Sequence, residues 1–150
     1  MSSIKKNEEV SPEALLKQLR NAKTTDDVFD LFEELWSLIM GITLKADTDA
    51  STKTNALHQI GLLSARFYML LDAYKVAVEH DFSYKDELHD EIEDDLKKLI
   101  EVYAYLKKGG LLKKAIDTIS WVSVSAENRV EDFMNYLAQM VEDLGPRPYY

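Results

Sequence analysis

The stretch SYKDELHDEIEDDLKKLIEVYAYLKKG, residues 83–109, decides how the rest of the chain is read. Leu88, Ile92, Leu96, Leu99, Tyr103 and Leu106 recur at steps of three and four, which places them on one stripe of a helix. Ser83 with Asp86 three residues on reads as an N-cap, and Asp86 and Glu87 supply the acids that a first turn favours. Lys107 and Lys108 supply the cations of the last turn, and Gly109-Gly110 stops it. A helix of roughly 24 residues is ~36 Å long at 1.5 Å per residue. Its stripe needs partners of similar length, so the remaining segments are read as what packs on it.

Composition narrows the class. A chain of 150 residues is expected to form one domain and to bury a substantial core. It contains no cysteine, hence no disulfide, thiolate metal site or cysteine nucleophile. The start, MSSIKKNEEV, has no apolar core of a signal peptide, and no run approaches the ~18 apolar residues of a membrane span. The expectation is a soluble, cytoplasmic protein. Net charge is −9, which argues against a strong free-standing nucleic-acid binder. The charge is nonetheless uneven: Asp81 to Glu101 holds nine acids against three lysines, whereas Lys107 to Lys114 holds four lysines and no acid.

Working outward, residues 1–10 are polar and expected to fray. Ser11-Pro12-Glu13 is a cap, N1 proline and early acid, so a short helix follows to about Ala22 with Leu15, Leu16 and Leu19 inward. Thr24 or Thr25 caps a second helix whose stripe is Val28, Leu31, Phe32, Leu35, Trp36 and Ile39, interrupted at Gly41. The next residues, ITLKAD from Ile42 to Asp47, alternate apolar and polar as a half-buried strand does, and TDASTKT reads as a loop. A third helix is expected from about Asn55 to His80, with Gly61 a possible point of close helix approach. After Gly110, Leu111 to Ile119 reads as a short helix, and SWVSVS (Ser120–Ser125) is β-branched and serine-rich, favouring a strand. Positions 112, 116, 119, 122, 126, 130, 133 and 137 keep helical spacing, which leaves a helix open there. A final helix is expected from a Ser125 cap to Gly145-Pro146, followed by an unexplained RPYY tail. The predicted fold is mainly α: an antiparallel helical bundle in one domain, with a helical core over about 11–40, 55–108 and 126–144. Two excursions, about 42–54 and 109–125, pair into a small β-element.

Catalytic signatures find little footing. His58 and His80-Asp81 follow the H…HD order of metal phosphohydrolases, but those residues are common and the order alone is weak. A di-iron bundle needs two Glu-x-x-His pairs, and Asp86-x-x-His89 is a single copy with the shorter acid. No histidine follows Arg66 or Arg129 at the spacing of the RNase-type helical domains. No glycine-rich phosphate loop and no nucleophile elbow are present. Ala126-Glu127-Asn128-Arg129-Val130 is loosely similar to the arginine-bearing helix of ATP:cobalamin adenosyltransferases, but the nucleotide loop of those enzymes is missing. The reading is therefore of a non-enzyme, with no catalytic residue, metal or cofactor assigned. The stretch that stands out is KKGGLLKK: Lys107, Lys108, Lys113 and Lys114 flank a flexible diglycine and can reach phosphates without reading sequence. Lys45 and Lys53 join them if the two excursions pair.

Taken together, SPEALLKQL, the helical core and the paired excursions ITLKADT and SWVSVS make the chain resemble the small subunit of an archaeal type I-A CRISPR interference complex, or Cascade. The resemblance implies a structural role in antiviral defence without catalysis. Several copies would associate with one another and with the other Cascade subunits, and help hold crRNA and its single-stranded DNA target. The alternatives from other classes are a homo-oligomeric helical scaffold and an adenosyltransferase-like enzyme.

Overall fold

Local cap chemistry determines where the helices begin. A computed structural model of the chain describes residues 10–109 and 112–145. Ser11 accepts the Ala14 amide at 3.1 Å and Pro12 opens α1 (Pro12–Asn21), as the sequence predicts. Thr24 caps α2 (Thr25–Lys45) in a reciprocal box: the Asp27 amide donates to Thr24 Oγ1 and the Thr24 amide to Asp27 Oδ2, each at 3.1 Å. The Lys23 amide donates to the same carboxylate at 2.9 Å, and these backbone donors hold Asp27 below the usual carboxylate range. Asp49 accepts the Thr52 amide at 2.9 Å and starts α3 (Ala50–Glu79). Helices α4 (Lys85–Lys107) and α5 (Leu112–Asp143) complete the described chain.

Six expectations are corrected, each for a physical reason. No strand occurs among the described residues, so the small β-element is absent there. Gly41 does not interrupt α2, and residues 42–45 form its last turn. A strand would bury Ile42 and Leu44 and expose Thr43. Instead Thr43 is buried, its hydroxyl donating to the Ile39 carbonyl at 2.8 Å, while Leu44 is 54% exposed. The stretch expected as a loop before Asn55 is the first turn of α3, because Asp49 caps it. Residues 120–125 lie inside α5, and Ser125 caps nothing. There the helical spacing wins: Ala115, Ile116, Ile119, Val122, Ser123 and Ala126 form a continuous buried face, against a per-residue β preference of at most ~1 kcal/mol. Ser83 is not a side-chain cap for α4; Tyr84 holds that position without a cap bond, and Ser83 Oγ lies 3.4 Å from the Tyr136 hydroxyl. Gly61 is exposed with nothing within 4 Å of a built Cβ, so it marks no close approach. The expectations for residues 1–9, Gly110, Leu111 and the tail from Pro146 fall outside the described residues.

All six apolar residues of the α4 stripe are buried, in a core to which every helix contributes. The α2–α3 hairpin is antiparallel: Phe32 stacks on Phe67 with centroids 4.4 Å apart, Tyr68 sets its edge on Phe32 at 5.2 Å, and the Trp36 indole donates to the Ile60 carbonyl at 3.2 Å. The α4–α5 hairpin is antiparallel too, with Arg129 beside Asp95, Lys98 over Trp121 and Lys114 over Tyr105. Between the hairpins the pairs run parallel. Arg66 of α3 donates to Ser123 of α5 at 2.9 Å, while Phe82, just past α3, meets Tyr136 further along α5. Likewise Val28 of α2 lies by Ile92 of α4, and Ile42 by Leu106. Helix α1 lies across α4 and α2, running antiparallel to α4. Consecutive long helices run antiparallel, and the two hairpins α2–α3 and α4–α5 lie side by side with their turns at the same end.

One charged cluster sits inside the α4–α5 seam. Arg129 Nη1 donates to Glu91 Oε2, and its Nε lies 3.6 Å from Asp95 Oδ2. Asp95 is fully buried and neither oxygen has a hydrogen-bond partner. Burial pushes the Asp95 carboxyl up to about 6, against the pull of Arg129 and Lys98, and burial raises Glu91 as well. Folded Asp95 thus keeps its proton at pH values where the unfolded chain, near 3.8, has lost it. Stability therefore falls as pH rises from about 4 to about 6 and stays at the lower level above. Asp95→Asn keeps the shape and removes the charge. In thermal melts it should raise Tm at pH 7.5 by about 3 °C or more, and by a clearly smaller margin at pH 4.5, where folded Asp95 still holds its proton. Equal destabilisation at both pH values would contradict this account. On the opposite kind of site, Gly61→Ala should gain about 0.5–1 kcal/mol in urea denaturation, from helix propensity alone; a loss would show that the face is occupied.

Candidate nucleic-acid interface

Because α2 runs parallel to α4, the α2–α3 and α4–α5 turns share one end of the molecule. This brings together the lysines singled out from the sequence, without the β-element expected to do so. Lys45 and Lys107 line the same groove between α2 and α4. Lys53, in the first turn of α3, donates to the Leu44 carbonyl at 3.0 Å and so covers an orphan carbonyl at the end of α2. Lys108, just past α4, and Lys113, in the first turn of α5, are exposed. Lys114 is exposed beside them, its ammonium 4.7 Å from the centre of the Tyr105 ring.

Lys107 has a structural duty as well. Its Nζ donates to the Val10 carbonyl at 2.8 Å, and the Tyr103 hydroxyl donates to the same oxygen at 2.6 Å. Burial, with Glu34 nearby, raises the Tyr103 hydroxyl above its ordinary value and keeps it a neutral donor. The two donors pin the start of α1 to the end of α4. Below this anchor α1 no longer covers the α2–α4 seam, which opens as a groove of about 800 Å³. Leu38, Ile42 and Leu106 supply its apolar lining, with Glu33 and Glu34 toward one end.

The opposite end of the molecule is acidic. Asp26, Asp27 and Asp30 of α2, Glu79 of α3, Asp81, and Asp86, Glu87 and Asp90 of α4 are all exposed there. Sequence reading located the lysines but not this sorting of charge by end, which depends on the parallel packing of the hairpins. It also passed over Tyr105, whose only sequence signal is its place in YAYLKK.

No protein-family model, no curated protein and no solved structure matches the chain.

The other motifs disperse. His58 lies near the start of α3 and His80 just past its end, about 33 Å apart along the helix. His80 stacks on Phe82 at 5.4 Å, and His89 Nδ1 pairs with the Tyr74 hydroxyl at 3.0 Å. No group of three or more possible ligands that could hold a metal ion occurs among the described residues. Arg129, of the adenosyltransferase-like stretch, is committed to Glu91 and Asp95. Among the described residues no helix is long and apolar enough to cross a membrane.

Tyr103→Phe removes one of the two donors to Val10. It should cost about 1 kcal/mol in denaturant unfolding, and adding Lys107→Met should cost more than the sum of the two single changes, since the carbonyl then has neither donor. Simple additivity would mean that water replaces both donors freely.

Proposed function

We propose that this chain is a non-catalytic assembly subunit whose basic end lies against nucleic-acid phosphates. The observation that carries the reading is the convergence of Lys45, Lys53, Lys107, Lys108, Lys113 and Lys114 from two turns onto one end of a chain whose net charge is −9. Strong local potentials steer a charged partner even when the whole molecule repels it. Contacts of this kind hold the backbone of a strand and read no sequence. Tyr105 next to Lys114 adds an aromatic ring of the type on which an unpaired base stacks.

The specific form of the proposal is a small subunit of a CRISPR RNA-guided interference complex, with other Cascade subunits, further copies of itself, and crRNA or single-stranded DNA as partners. The capped first helix, SPEALLKQL, and the helical core support that form. The paired excursions no longer contribute to it, because both are helical.

Binding of fluorescent single-stranded DNA and RNA across a salt series tests the reading. The unmodified chain should bind at low salt, and its log K should fall linearly with log salt. Changing Lys107, Lys108, Lys113 and Lys114 to alanine should weaken binding and reduce that slope by up to about 3, at ~0.7 per phosphate contact. Lys75→Ala with Lys85→Ala, away from the lysine end, should leave both unchanged. Absence of binding at low salt, or equal loss in the two variants, would overturn the proposal.

A further inference from the structure

Two cation–ring pairs cross the seam between α4 and α5. Near the turn, the Lys114 ammonium of α5 lies 4.7 Å from the centre of the Tyr105 ring of α4. Further along, the Lys98 ammonium of α4 lies 4.9 Å from the centre of the Trp121 ring of α5. Lys98 and Tyr105 are seven residues apart on one helix, and so are Lys114 and Trp121 on the other. Seven residues make close to two full turns, so each helix presents its two residues on one stripe, ~10.5 Å apart along the axis. Trp121 is 51% exposed, Lys114 is exposed, and Tyr105 and Lys98 are half-buried. Residues 98–121 carry five lysines against two acids, Glu101 and Asp117, in a chain whose net charge is −9.

We infer that this flank of the α4–α5 hairpin is a track for an unpaired nucleic-acid strand, one base stacking on Tyr105 and another on Trp121. The strand enters at the turn, where Lys108, Lys113 and Lys114 take its phosphates, and follows the seam to Lys98. Each ring has an ammonium beside it, so base and phosphate of one nucleotide are met together. The ~10.5 Å between the two levels is about three steps of a strand at 3.4 Å per nucleotide. Duplex bases are stacked on one another and offer no free face, so two exposed rings select a single strand. Past Trp121 the seam turns acidic: Glu91 and Asp95 hold Arg129, and exposed Glu87 and Asp132 stand near Glu91. Phosphates are repelled there, which ends the track. The inference rests on the proposed phosphate-binding end and adds the form of its partner and the path that it takes.

Anisotropy of labelled oligothymidine, oligouridine and a DNA duplex of equal length tests it across a salt series. Trp121→Ala and Tyr105→Leu should each weaken binding of the single strands by about five- to hundredfold at every salt concentration. The slope of log K against log salt should not change, because no phosphate contact is lost. Duplex binding should be the same in both variants as in the parent chain. The tighter of the two parent single-strand complexes identifies the partner as DNA or RNA. A second readout needs no loss of a stacking ring. In the Trp36→Phe background Trp121 is the sole tryptophan, and saturating single strand should quench its emission while duplex should not. Circular dichroism checks that each variant is folded. Ring variants that bind single strands like the parent chain would overturn the track and leave the lysine reading standing, as would unquenched Trp121 in a saturated complex. No binding by the unmodified chain would overturn both.

Discussion

The parallel seam between α3 and α5 is the constraint on which the rest of the structure depends. Arg66 reaches from α3 to Ser123 at 2.9 Å and to Glu127 at 3.5 Å, and these two contacts one turn apart set the register of the helices. Small residues, Ala73 and Ala77 on α3 and Ala115 and Ala126 on α5, are buried. Each helix is one arm of a tight antiparallel hairpin. Once α3 and α5 run the same way, α2 and α4 must do so too, and both hairpin turns must lie at one end. The opening of a groove below α1 and the gathering of lysines from residues 45–53 and 107–114 follow from that single choice of direction.

The same choice separates charge. The acids of the α4 start, the α3 end and the α2 start fall at one end; at the other, the α4–α5 turn carries four lysines and no acid, while the α2–α3 turn carries two lysines and two aspartates. Over a molecule whose helices are about 35–45 Å long, the ends lie several Debye lengths apart at physiological salt. Each end then acts on a partner with its own sign rather than with the net charge of the chain. A net charge of −9 is compatible with a surface that attracts phosphate, provided that the surface is at the far end from the acids.

Much of the helical framework was legible in the sequence because it is written locally. The Ser11-Pro12 cap, the Thr24 cap and the α4 stripe each rest on residues close in sequence, and each is found where the pattern allows it. The β-element failed because alternation and β-branched content are also local signals, and tertiary burial overrode them. Thr43 satisfies its hydroxyl within its own helix, and Ser123 finds Arg66, a partner 57 positions away that no local pattern reveals. The lysines could be named from sequence, yet their convergence was inferred for the wrong reason. It comes from helix direction across two hairpins. Asp95 was invisible as a buried acid, since its position beside Leu96 and among eight other acids reads as solvated surface.

Helix direction is therefore what most needs direct measurement. The chain has no native cysteine, so pairs of introduced cysteines carry spin labels without ambiguity. Asp47→Cys with Lys108→Cys places one label on each turn, at exposed positions. Pulsed dipolar spectroscopy should give a distance of about 15–25 Å, as expected for the ends of adjacent helices 8–10 Å apart with label arms added. Asp81→Cys with Lys108→Cys, spanning α4, should give about 35–40 Å as an internal ruler. A 47–108 distance equal to that ruler would place the two turns at opposite ends, and with them the lysines, contradicting the account.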